Sequence, residues 1–373
     1  MSSHHFDIEV LKKELDGLSD VPGVQRRQEP LSPQDGPVCV TGCSGFIALV
    51  LLDQLLSKGY TVIGTVRSDK DEKKMTPLRE FQKKYGQEKL KIITGVDCLK
   101  PESFDEAVAG CVGVFHTASP FHFKTEDPMT DLVKPAITGT RSCLLACKKA
   151  QTVKRVVVTA SFACIVNPGV YPPDYSYSSK DWNKTSLPNQ EGKFPDPHAA
   201  NGYRFSKIVA EKAAWDFARA EDCPFDVACI NPPMVIGKNF NICTTPDDLN
   251  TSSAAVLKNL QGASAPAPNS GAWVDVEDVA RAHILAMEKP EAGGRRFLCA
   301  SNEVPTGVDL ANLLKEIAPN CPVQTAMPEG GAGVSMTMDT SALDSLGFQF
   351  TPLKETLRVQ AESLVKLGFL SKL

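Results

Sequence analysis

The sequence predicts an α/β protein: a doubly wound parallel sheet that carries a second, smaller α/β lobe. Two observations support this prediction. Short β-branched strand patterns alternate with helical patterns between residues 38 and 230. Such alternation requires crossovers that leave the strands parallel, with helices on both faces. Beyond residue 230 the alternation weakens into a proline-rich region with short elements, which indicates a lobe built separately from the sheet.

The composition is that of an ordinary globular protein. The 373 residues are 42% hydrophobic and 23% charged, which is typical of soluble domains. The net charge of −4 gives no reason to expect a nucleic acid or an anionic membrane as a partner. No apolar run approaches the ~20 residues of a membrane span. The first residues also lack the basic start and apolar stretch of a secretory signal.

Twelve cysteines are scattered along the chain, with no C-x-x-C motif and no histidine-rich cluster. Cys143 and Cys147 share a helical face, which would suit a metal ion, but the sequence offers no further ligands beside them. We therefore predict no metal site and assign both cysteines to the core. Unpaired cysteines in this pattern favour a reducing compartment.

The order of the elements divides the chain into three parts. Residues 1–36 are predicted to be a flexible extension with one helix near 6–18. Residues 37–232 form the dinucleotide-binding sheet domain, to which 272–290 return, and residues 233–373 mainly build the substrate-binding lobe. Strands are recognised by short apolar runs and helices by apolar residues on one face. The predicted strands are 38–41, 60–66, 90–94, 113–116, 155–159 and 225–230, and the predicted helices are 46–56, 73–85, 103–109, 131–150, 200–220, 252–260, 275–288 and 353–367.

The stretch 38–48 carries the most specific motif in the chain. A β-branched run breaks at Gly42 into a glycine-rich turn, and an apolar helix follows, which is the context of a dinucleotide-binding fingerprint. Gly42 can adopt backbone angles closed to other residues, and Gly45 places no side chain between the backbone and a pyrophosphate. The helix N-terminus offers free N–H groups to the phosphates. The predicted fold is therefore a Rossmann sheet, and the predicted phosphate-binding residues are Gly42, Ser44, Gly45, Phe46 and Ile47.

Tyr203 and Lys207 lie four residues apart in a predicted helix, so the phenol and the ammonium share one face. A nearby cation favours the phenolate, so we expect the pKa of Tyr203 to be drawn from about 10 toward neutral pH. The tyrosine can then serve as a general acid or base. Ser161 follows the predicted strand 155–159 and reaches the same cleft, where its hydroxyl can hold a substrate oxygen beside the tyrosine.

Several stretches make the chain similar to the extended short-chain dehydrogenase/reductases. They are Val-Thr-Gly-Cys-Ser-Gly-Phe-Ile-Ala (40–48), Gly-Thr-Val-Arg (64–67), Val-Phe-His-Thr-Ala-Ser-Pro-Phe (114–121), Arg-Val-Val-Val-Thr-Ala-Ser (155–161), Asn-Pro-Pro-Met-Val-Ile-Gly (231–237) and Val-Asp-Val-Glu-Asp-Val-Ala-Arg-Ala-His (274–283). Within this family the chain resembles the group of dihydroflavonol, cinnamoyl-CoA and methylglyoxal reductases. The stretches 210–217 and 346–350 are most similar to the methylglyoxal/isovaleraldehyde reductase branch.

The resemblance implies a catalytic triad of Ser161, Tyr203 and Lys207. Tyr203 would protonate the carbonyl oxygen while the nicotinamide delivers hydride. Lys207 would hold the nicotinamide ribose and lower the tyrosine pKa, and Ser161 would orient the carbonyl. Further implied cofactor contacts are Asp97 and Cys98 at the adenine, Ala118 along the cofactor and Pro232 at the nicotinamide, with Thr117 and Thr159 at the neighbouring strand ends.

The end of the second strand bears on the choice between NAD and NADP. An acidic residue there would accept hydrogen bonds from the ribose hydroxyls of NAD. The chain instead has Arg67, followed by Lys73 and Lys74, and such cations suit a 2′-phosphate. We therefore predict NADP (NADPH) as the cofactor. Asp69 and Asp71 keep NAD open as the alternative.

The sequence leaves the carbonyl substrate unnamed. An apolar or aromatic compound would suit a wall formed by Tyr171, Tyr175, Tyr177, Trp182, Phe194, Phe121, Met234 and Phe240, although simple packing is the alternative for each of these residues. The tyrosine region reads Ala-Asn-Gly-Tyr-Arg-Phe-Ser-Lys. It lacks the Asn-Trp-Tyr-Cys-Tyr signature of cinnamoyl-CoA reductases, which argues against a CoA-thioester substrate.

The last three residues are Ser371, Lys372 and Leu373, which spell a peroxisomal address when they stand at an exposed carboxyl terminus. We expect the protein in the peroxisome, with the peroxisomal import receptor as a partner, and otherwise in the cytoplasm.

Three functions are compatible with these observations. The first is an NADPH-dependent reductase that converts a small or medium aldehyde or ketone to an alcohol. The second is an oxidoreductase that oxidises a sterol, sugar-nucleotide or hydroxyacyl alcohol; Arg67 argues against it, because NADP usually serves reduction. The third is a non-catalytic NADP(H)-binding regulator, against which the presence of both Tyr203 and Lys207 argues.

Overall fold

A computed structural model of the protein describes residues 7–18, 27–100, 102–119, 125–172, 174–267, 271–327 and 336–373. In chain order its elements are α1 (Ile8–Asp16), β1 (Val38–Thr41), α2 (Phe46–Ser57), β2 (Val62–Thr65), α3 (Glu72–Tyr85), β3 (Leu90–Ile93), α4 (Asp105–Val108), β4 (Gly113–His116), α5 (Lys134–Ala150), β5 (Arg155–Thr159), β6 (Ser176–Ser178), α6 (His198–Ala218), β7 (Asp226–Asn231), β8 (Met234–Ile236), α7 (Thr251–Leu260), β9 (Trp273–Asp275), α8 (Val276–Glu288), β10 (Arg295–Leu298), α9 (Gly307–Ile317), β11 (Thr337–Asp339), α10 (Ser341–Asp344) and α11 (Leu353–Lys366). None of the helices in these ranges combines the length and the apolarity that a membrane span needs.

Seven parallel strands form the main sheet, in the order β10-β7-β5-β4-β1-β2-β3. Val38 of β1 lies opposite Val62 of β2 on one side and opposite Gly113 of β4 on the other. The direction in which successive strands are added reverses between β1 and β4. Ligands of such sheets bind outside the carboxyl ends of the strands at this point. The parallel sheet with its helices confirms the predicted fold class.

Helices cover both faces of the sheet, which explains why its strands are apolar on both sides. α2 packs against α8 on one face, and α5 packs against α6 on the other. Two apolar clusters result: one includes Leu51 and Met287, and the other includes Leu144 and Trp215. β10 completes the sheet beside β7. Residues 295–298 therefore join the main sheet, in addition to the segment 272–290 that was predicted to return to it.

The smaller lobe packs α7, α9 and α11 around the parallel pair of β8 and β9. Its core is a separate cluster that includes Val256, Leu314 and Leu357. A second parallel pair, β6 with β11, ties the long loop after β5 to the chain that precedes α10. The lobe lies close to the carboxyl ends of the main strands, because β8 begins three residues after the end of β7.

All twelve cysteines are free thiols, and every one except Cys98 is buried. Cys143 and Cys147 lie within the apolar cluster on the α5 side of the sheet. A cysteine in such surroundings behaves as a small hydrophobic residue, which is the role that the sequence predicted for both.

The amino-terminal helix α1 is attached to the sheet domain, so the prediction of a flexible extension is wrong for residues 7–18. Ile8, Leu11 and Leu15 recur at helical spacing, are buried and belong to the same apolar cluster as α5 and α6. A cavity of about 220 Å³ is lined by residues of all three helices. Residues 19–26 of the predicted extension lie outside the described residues.

Truncation of Leu15 to alanine is expected to destabilise the protein by about 2–5 kcal/mol, because it empties part of a packed core. Leu15 is 0% exposed. The shift of the urea unfolding midpoint measures the loss. Val10→Ala on the same helix is the matched control, because Val10 is 48% exposed and such surface changes stay within about 0.5 kcal/mol. An unchanged midpoint in Leu15→Ala would contradict the docking of α1.

Candidate active site

The carboxyl ends of the central strands open onto two cavities, which together form the cleft. The outer cavity, of about 490 Å³, reaches Arg67 and Lys74, and the inner cavity, of about 260 Å³, reaches Tyr203 and Lys207. The residues that line both cavities are Gly42, Gly45, Thr117 and Ser119. The glycine-rich turn after β1 therefore stands at the junction between a cationic end and the predicted catalytic end.

The turn between β1 and α2 brings the backbone close to the cleft. Gly42 has a φ of +63°, and a Cβ atom there would lie 3.1 Å from the Cα atom of Ala118, so glycine is required. The Gly42 N–H donates to Thr65 Oγ1 at 3.1 Å. Gly45 is the N-cap residue of α2 and has no side chain that would occupy the first N–H groups of the helix. These groups and the helix dipole suit a pyrophosphate, so the turn fits the predicted dinucleotide.

Predicted cofactor residues from the segments that follow β1, β2, β3 and β4 line the outer cavity. They are Ser44, Arg67, Lys74, Cys98 and Ala118. The guanidinium of Arg67 interacts with the thiol of Cys98, and Lys74 Nζ lies 3.2 Å from a carboxylate oxygen of Asp71. Arg67 and Lys74 place two positive charges just beyond the end of β2, which is where a 2′-phosphate would be recognised.

Two predicted cofactor residues do not line this cavity. The Lys73 ammonium donates to Asp248 at 2.9 Å and to Thr244 Oγ1 at 2.7 Å, because successive residues of a helix point about 100° apart. The carboxylate of Asp97 accepts the N–H of Leu99 at 3.1 Å in a local turn, whereas Cys98 lines the outer cavity. Lys73 and Asp97 are not among the residues that line this cavity, so their contact with the cofactor stays a prediction.

The inner cavity brings Ser161, Tyr203 and Lys207 together. Tyr203 and Lys207 lie about one turn apart on α6, and Lys207 Nζ lies 5.8 Å from the centroid of the Tyr203 ring. The Ser161 hydroxyl interacts with the Tyr203 phenol and favours its ionised form. Lys207 Nζ donates to the hydroxyl of Ser119 at 2.7 Å. The hydroxyl of Ser161, the phenol of Tyr203 and the ammonium of Lys207 thus surround one space in which a carbonyl oxygen can be protonated.

Burial disfavours the charged forms of both groups on α6, the Tyr203 phenolate and the Lys207 ammonium. It raises the pKa of Tyr203 above its usual value, while the interaction with Ser161 opposes the shift. It lowers the pKa of Lys207 to about 8. The prediction that the pKa of Tyr203 is drawn toward neutral pH is therefore wrong, because desolvation of the phenolate is the largest effect. Tyr203 is a neutral phenol that can act as an acid.

Four more predicted residues line the inner cavity, namely Phe46, Ile47, Thr159 and Pro232. Thr159 Oγ1 shares a hydrogen bond of 2.7 Å with His283 Nε2. Burial lowers the pKa of His283 to about 4, so this imidazole is neutral and its bond to Thr159 is structural. Thr117 Oγ1 donates to the Thr41 carbonyl. Both threonines therefore hold strand ends in place at the wall of the cleft.

Sequence reasoning missed the residues that the smaller lobe contributes to the inner cavity. Asn250, Thr251 and Ser252 line it at the start of α7. Asn250 is the N-cap residue of that helix, and its Nδ2 donates to the Val235 carbonyl at 3.1 Å. An asparagine before an apolar helical pattern signals a helix start. That signal alone carries no information on which cavity the helix start faces.

The predicted aromatic wall is wrong, because in the described part of the chain these side chains pack outside the cleft. Tyr171 stacks on Tyr175 with ring centroids 3.9 Å apart, and Tyr177 packs edge-on against Phe162. Trp182 contacts Arg296, and Phe194 contacts Phe205. Phe240 contacts Phe81, and Met234 packs against the core of the smaller lobe. Phe121 lies outside the described residues. For the seven of these residues that the structure describes, the alternative of simple packing therefore holds.

The residues 371–373 lie beside the smaller lobe. Ser371 and Lys372 are exposed, and Leu373 contacts the apolar core of the lobe. Asn320 Nδ2 donates to the Leu373 carbonyl oxygen at 2.7 Å. These contacts do not bear on cellular location, so the peroxisomal address stays a prediction.

Comparison with known proteins agrees with the geometry of the cleft. The model of the NAD dependent epimerase/dehydratase family matches residues 38–300. Cinnamoyl-CoA reductase CAD2 of Medicago truncatula is 35% identical over 340 residues, which are 89% of this chain and 96% of that protein. Tetraketide alpha-pyrone reductase 1 of Arabidopsis thaliana is 34% identical over 338 residues, which are 90% of this chain and 97% of that protein.

The fold also matches solved structures of reductases. The crystal structure of yeast methylglyoxal/isovaleraldehyde reductase Gre2, complexed with NADPH, superposes with a TM-score of 0.75 at 30% identity. The match covers 90% of this chain and 100% of the yeast chain. Almost the whole of each relative thus corresponds to this chain, and α1 lies before the region that the family model matches.

Proposed function

Since the chain belongs to the NAD dependent epimerase/dehydratase family, we propose that it is an NADPH-dependent reductase that converts an aldehyde or ketone to an alcohol. The observation that carries this proposal is the meeting of Ser161, Tyr203 and Lys207 in a cavity that joins the glycine-rich turn. Its relatives are named as reductases, and the yeast structure contains NADPH.

Three parts of the cleft would hold the cofactor. The backbone of the turn at Gly42 and Gly45 would hold the pyrophosphate, and Arg67 with Lys74 would hold the 2′-phosphate. Lys207 would hold the nicotinamide ribose at the inner cavity. NADPH, when bound, supplies the hydride that reduces the carbonyl carbon.

The side chains of the inner cavity supply the proton chemistry. Tyr203 donates the phenolic proton to the carbonyl oxygen as a general acid. The Ser161 hydroxyl, which interacts with the phenol, also donates to that oxygen and keeps it beside the acid. The Lys207 ammonium stabilises the phenolate left after proton transfer, because opposite charges favour the ionised form.

The inner cavity favours a small or medium carbonyl compound. Its volume is about 260 Å³, and apolar Phe46 and Val235 lie in its wall together with polar Asn250 and Ser252. The tyrosine region lacks the Asn-Trp-Tyr-Cys-Tyr signature, which supports a free aldehyde or ketone over a CoA thioester.

A panel of aldehydes and ketones, followed by NADPH absorbance, tests the proposal. We expect consumption of NADPH with at least one of them and slower initial rates with NADH. Faster rates with NAD or NADP and an alcohol would favour oxidation of a sterol, sugar-nucleotide or hydroxyacyl substrate. Tight NADPH binding with no turnover on the panel would favour a non-catalytic regulator.

The pKa of Lys207 predicts an alkaline limb in the pH profile. Its value of about 8 means that the ammonium predominates below pH 8 and is lost as the pH rises through 8. Because the charged form stabilises the phenolate, kcat/KM should fall above pH 8. Lys207→Arg keeps the charge at every accessible pH and should remove this limb. The same limb in both proteins would assign it to another group.

We further propose that residues 371–373 direct the protein to the peroxisome through the import receptor. The Ser-Lys-Leu sequence of these residues supports this. Imaging of an amino-terminally tagged protein tests it: deletion of Leu373 should move a punctate signal to the cytoplasm, and an unchanged pattern would contradict the proposal.

A further inference from the structure

A buried polar network lies directly behind the catalytic residues, on the side away from the cleft. Its centre is Glu211, which lies four residues after Lys207 and eight after Tyr203, so all three share one face of α6. Glu211 is 1% exposed. A carboxylate that is removed from water in this way needs charged and hydrogen-bonding partners.

Three side chains satisfy the Glu211 carboxylate. Arg296 of β10 donates through Nε to Oε1 at 2.6 Å, and Trp215 Nε1 reaches the same oxygen at 3.3 Å. Asn231, the last residue of β7, donates through Nδ2 to Oε2 at 2.8 Å. The helix that carries the catalytic tyrosine is thereby tied to two strands of the sheet.

Asn231 extends this network to Ser161. Its Nδ2 also donates to the Ser161 carbonyl oxygen at 3.1 Å, and the residue is 0% exposed. The amide orientation is determined, because both neighbours of Nδ2 are acceptors and a flipped amide would place oxygen against oxygen. The backbone that carries the Ser161 hydroxyl is therefore held by Asn231 on the side away from the cleft.

These connections link Tyr203 to the segment of Ser161. Tyr203 is joined to Glu211 by two turns of α6, Glu211 to Asn231 by a hydrogen bond, and Asn231 to the Ser161 carbonyl by a second hydrogen bond. The Ser161 hydroxyl in turn interacts with the Tyr203 phenol. We propose that Asn231, anchored by Glu211, is a positioning residue that sets the placement of the Ser161 hydroxyl against Tyr203. The proposal rests on the proposed reductase function and assigns no proton transfer to Asn231.

A kinetic double-mutant cycle tests this role. Asn231→Leu keeps the same side-chain branching, removes both hydrogen bonds and leaves Glu211 paired with Arg296. It should lower kcat on the order of 10²-fold, as expected for a small misplacement of a catalytic group, with the KM for NADPH unchanged. In a Ser161→Ala background the same substitution should have almost no further effect. Equal losses of kcat in both backgrounds would overturn the proposal, because a purely structural defect would lower kcat whether or not the Ser161 hydroxyl is present.

Two further variants complete the experiment, one as a control and one as a replacement for Asn231→Leu. Trp215→Phe is the matched control, since it removes a bond to Glu211 but leaves the path to Ser161 intact, and it should retain the wild-type kcat. Asn231→Ala introduces no new side-chain atoms, and it takes the place of Asn231→Leu in the cycle if that variant does not fold.

Hydrogen exchange gives a readout that does not depend on turnover. The Cys164 N–H donates to the same Ser161 carbonyl at 2.9 Å, so loss of Asn231 should speed amide exchange in a peptide spanning residues 160–166. Exchange in α1 should stay the same. If the protein reduces no carbonyl compound, the proposed function fails while faster exchange still supports the positioning role. Unchanged exchange at 160–166 would overturn the positioning role in either case.

Discussion

Replacement of Tyr203 by phenylalanine should lower kcat for carbonyl reduction by about 10²–10⁴-fold, the usual contribution of a positioned general acid. The substitution removes the phenolic proton but keeps the ring that lies 5.8 Å from Lys207 Nζ. The affinity for NADPH should therefore stay close to that of the wild type. Initial rates and fluorescence titration with NADPH measure the two effects separately.

Tyr175→Phe is the matched control for this experiment. Its hydroxyl donates to Asp181 at 2.7 Å, and its ring stacks on Tyr171 away from the cleft. The same atom is removed from the same residue type, and kcat should not change. A near-wild-type rate in Tyr203→Phe would rule out Tyr203 as the acid.

Replacement of Arg67 by glutamine should raise the Kd for NADPH about 10- to 150-fold, because hydrogen bonds to a charged group contribute about 1.5–3 kcal/mol. The Kd for NADH should change little, since NADH lacks the 2′-phosphate. Arg67 lines the outer cavity, and its guanidinium can bind a phosphate through two parallel N–H groups. Isothermal titration with both cofactors measures the difference.

Arg79→Gln serves as the control for Arg67. Arg79 lies on α3, and its Nη2 lies 3.2 Å from Glu72 Oε1. Its replacement by glutamine removes one positive charge from the same region without changing the cleft, so the Kd values for NADPH and NADH should both stay the same. An equal loss for NADPH and NADH in Arg67→Gln would show that Arg67 contacts a part common to both cofactors.

The placement of cations in the cleft shows what sequence reasoning can and cannot reach. Arg67, Lys73 and Lys74 follow the second strand and predicted a phosphate site there. Lys74 lines the outer cavity, whereas Lys73 pairs with Asp248 of the smaller lobe. Residues next to each other on a helix face different neighbours, and the neighbour of Lys73 lies 175 positions further along the chain. No local pattern contains that information.

The amino-terminal helix and the aromatic loop illustrate the same limit. The apolar spacing of Ile8, Leu11 and Leu15 indicates a helix with one buried face, but not that α5 and α6 provide its partner. The tyrosines of the loop 162–200 are large and apolar enough for either a substrate wall or a core. Their stacked and edge-on ring contacts with one another show that they pack as a core, and the sequence could not show this because burial depends on contacts made in the tertiary structure.

The sequence by itself determined the alternation of strands and helices, the need for glycine at position 42 and the grouping of Ser161, Tyr203 and Lys207. These follow from backbone geometry, from the helical repeat and from the rule that the carboxyl ends of parallel strands share one edge. The tertiary structure alone decided the direction of the Tyr203 pKa shift, the contribution of α7 to the inner cavity and the network from Glu211 to Ser161. Each of these depends on desolvation or on hydrogen bonds between segments that are far apart in sequence, and neither is encoded in a local pattern.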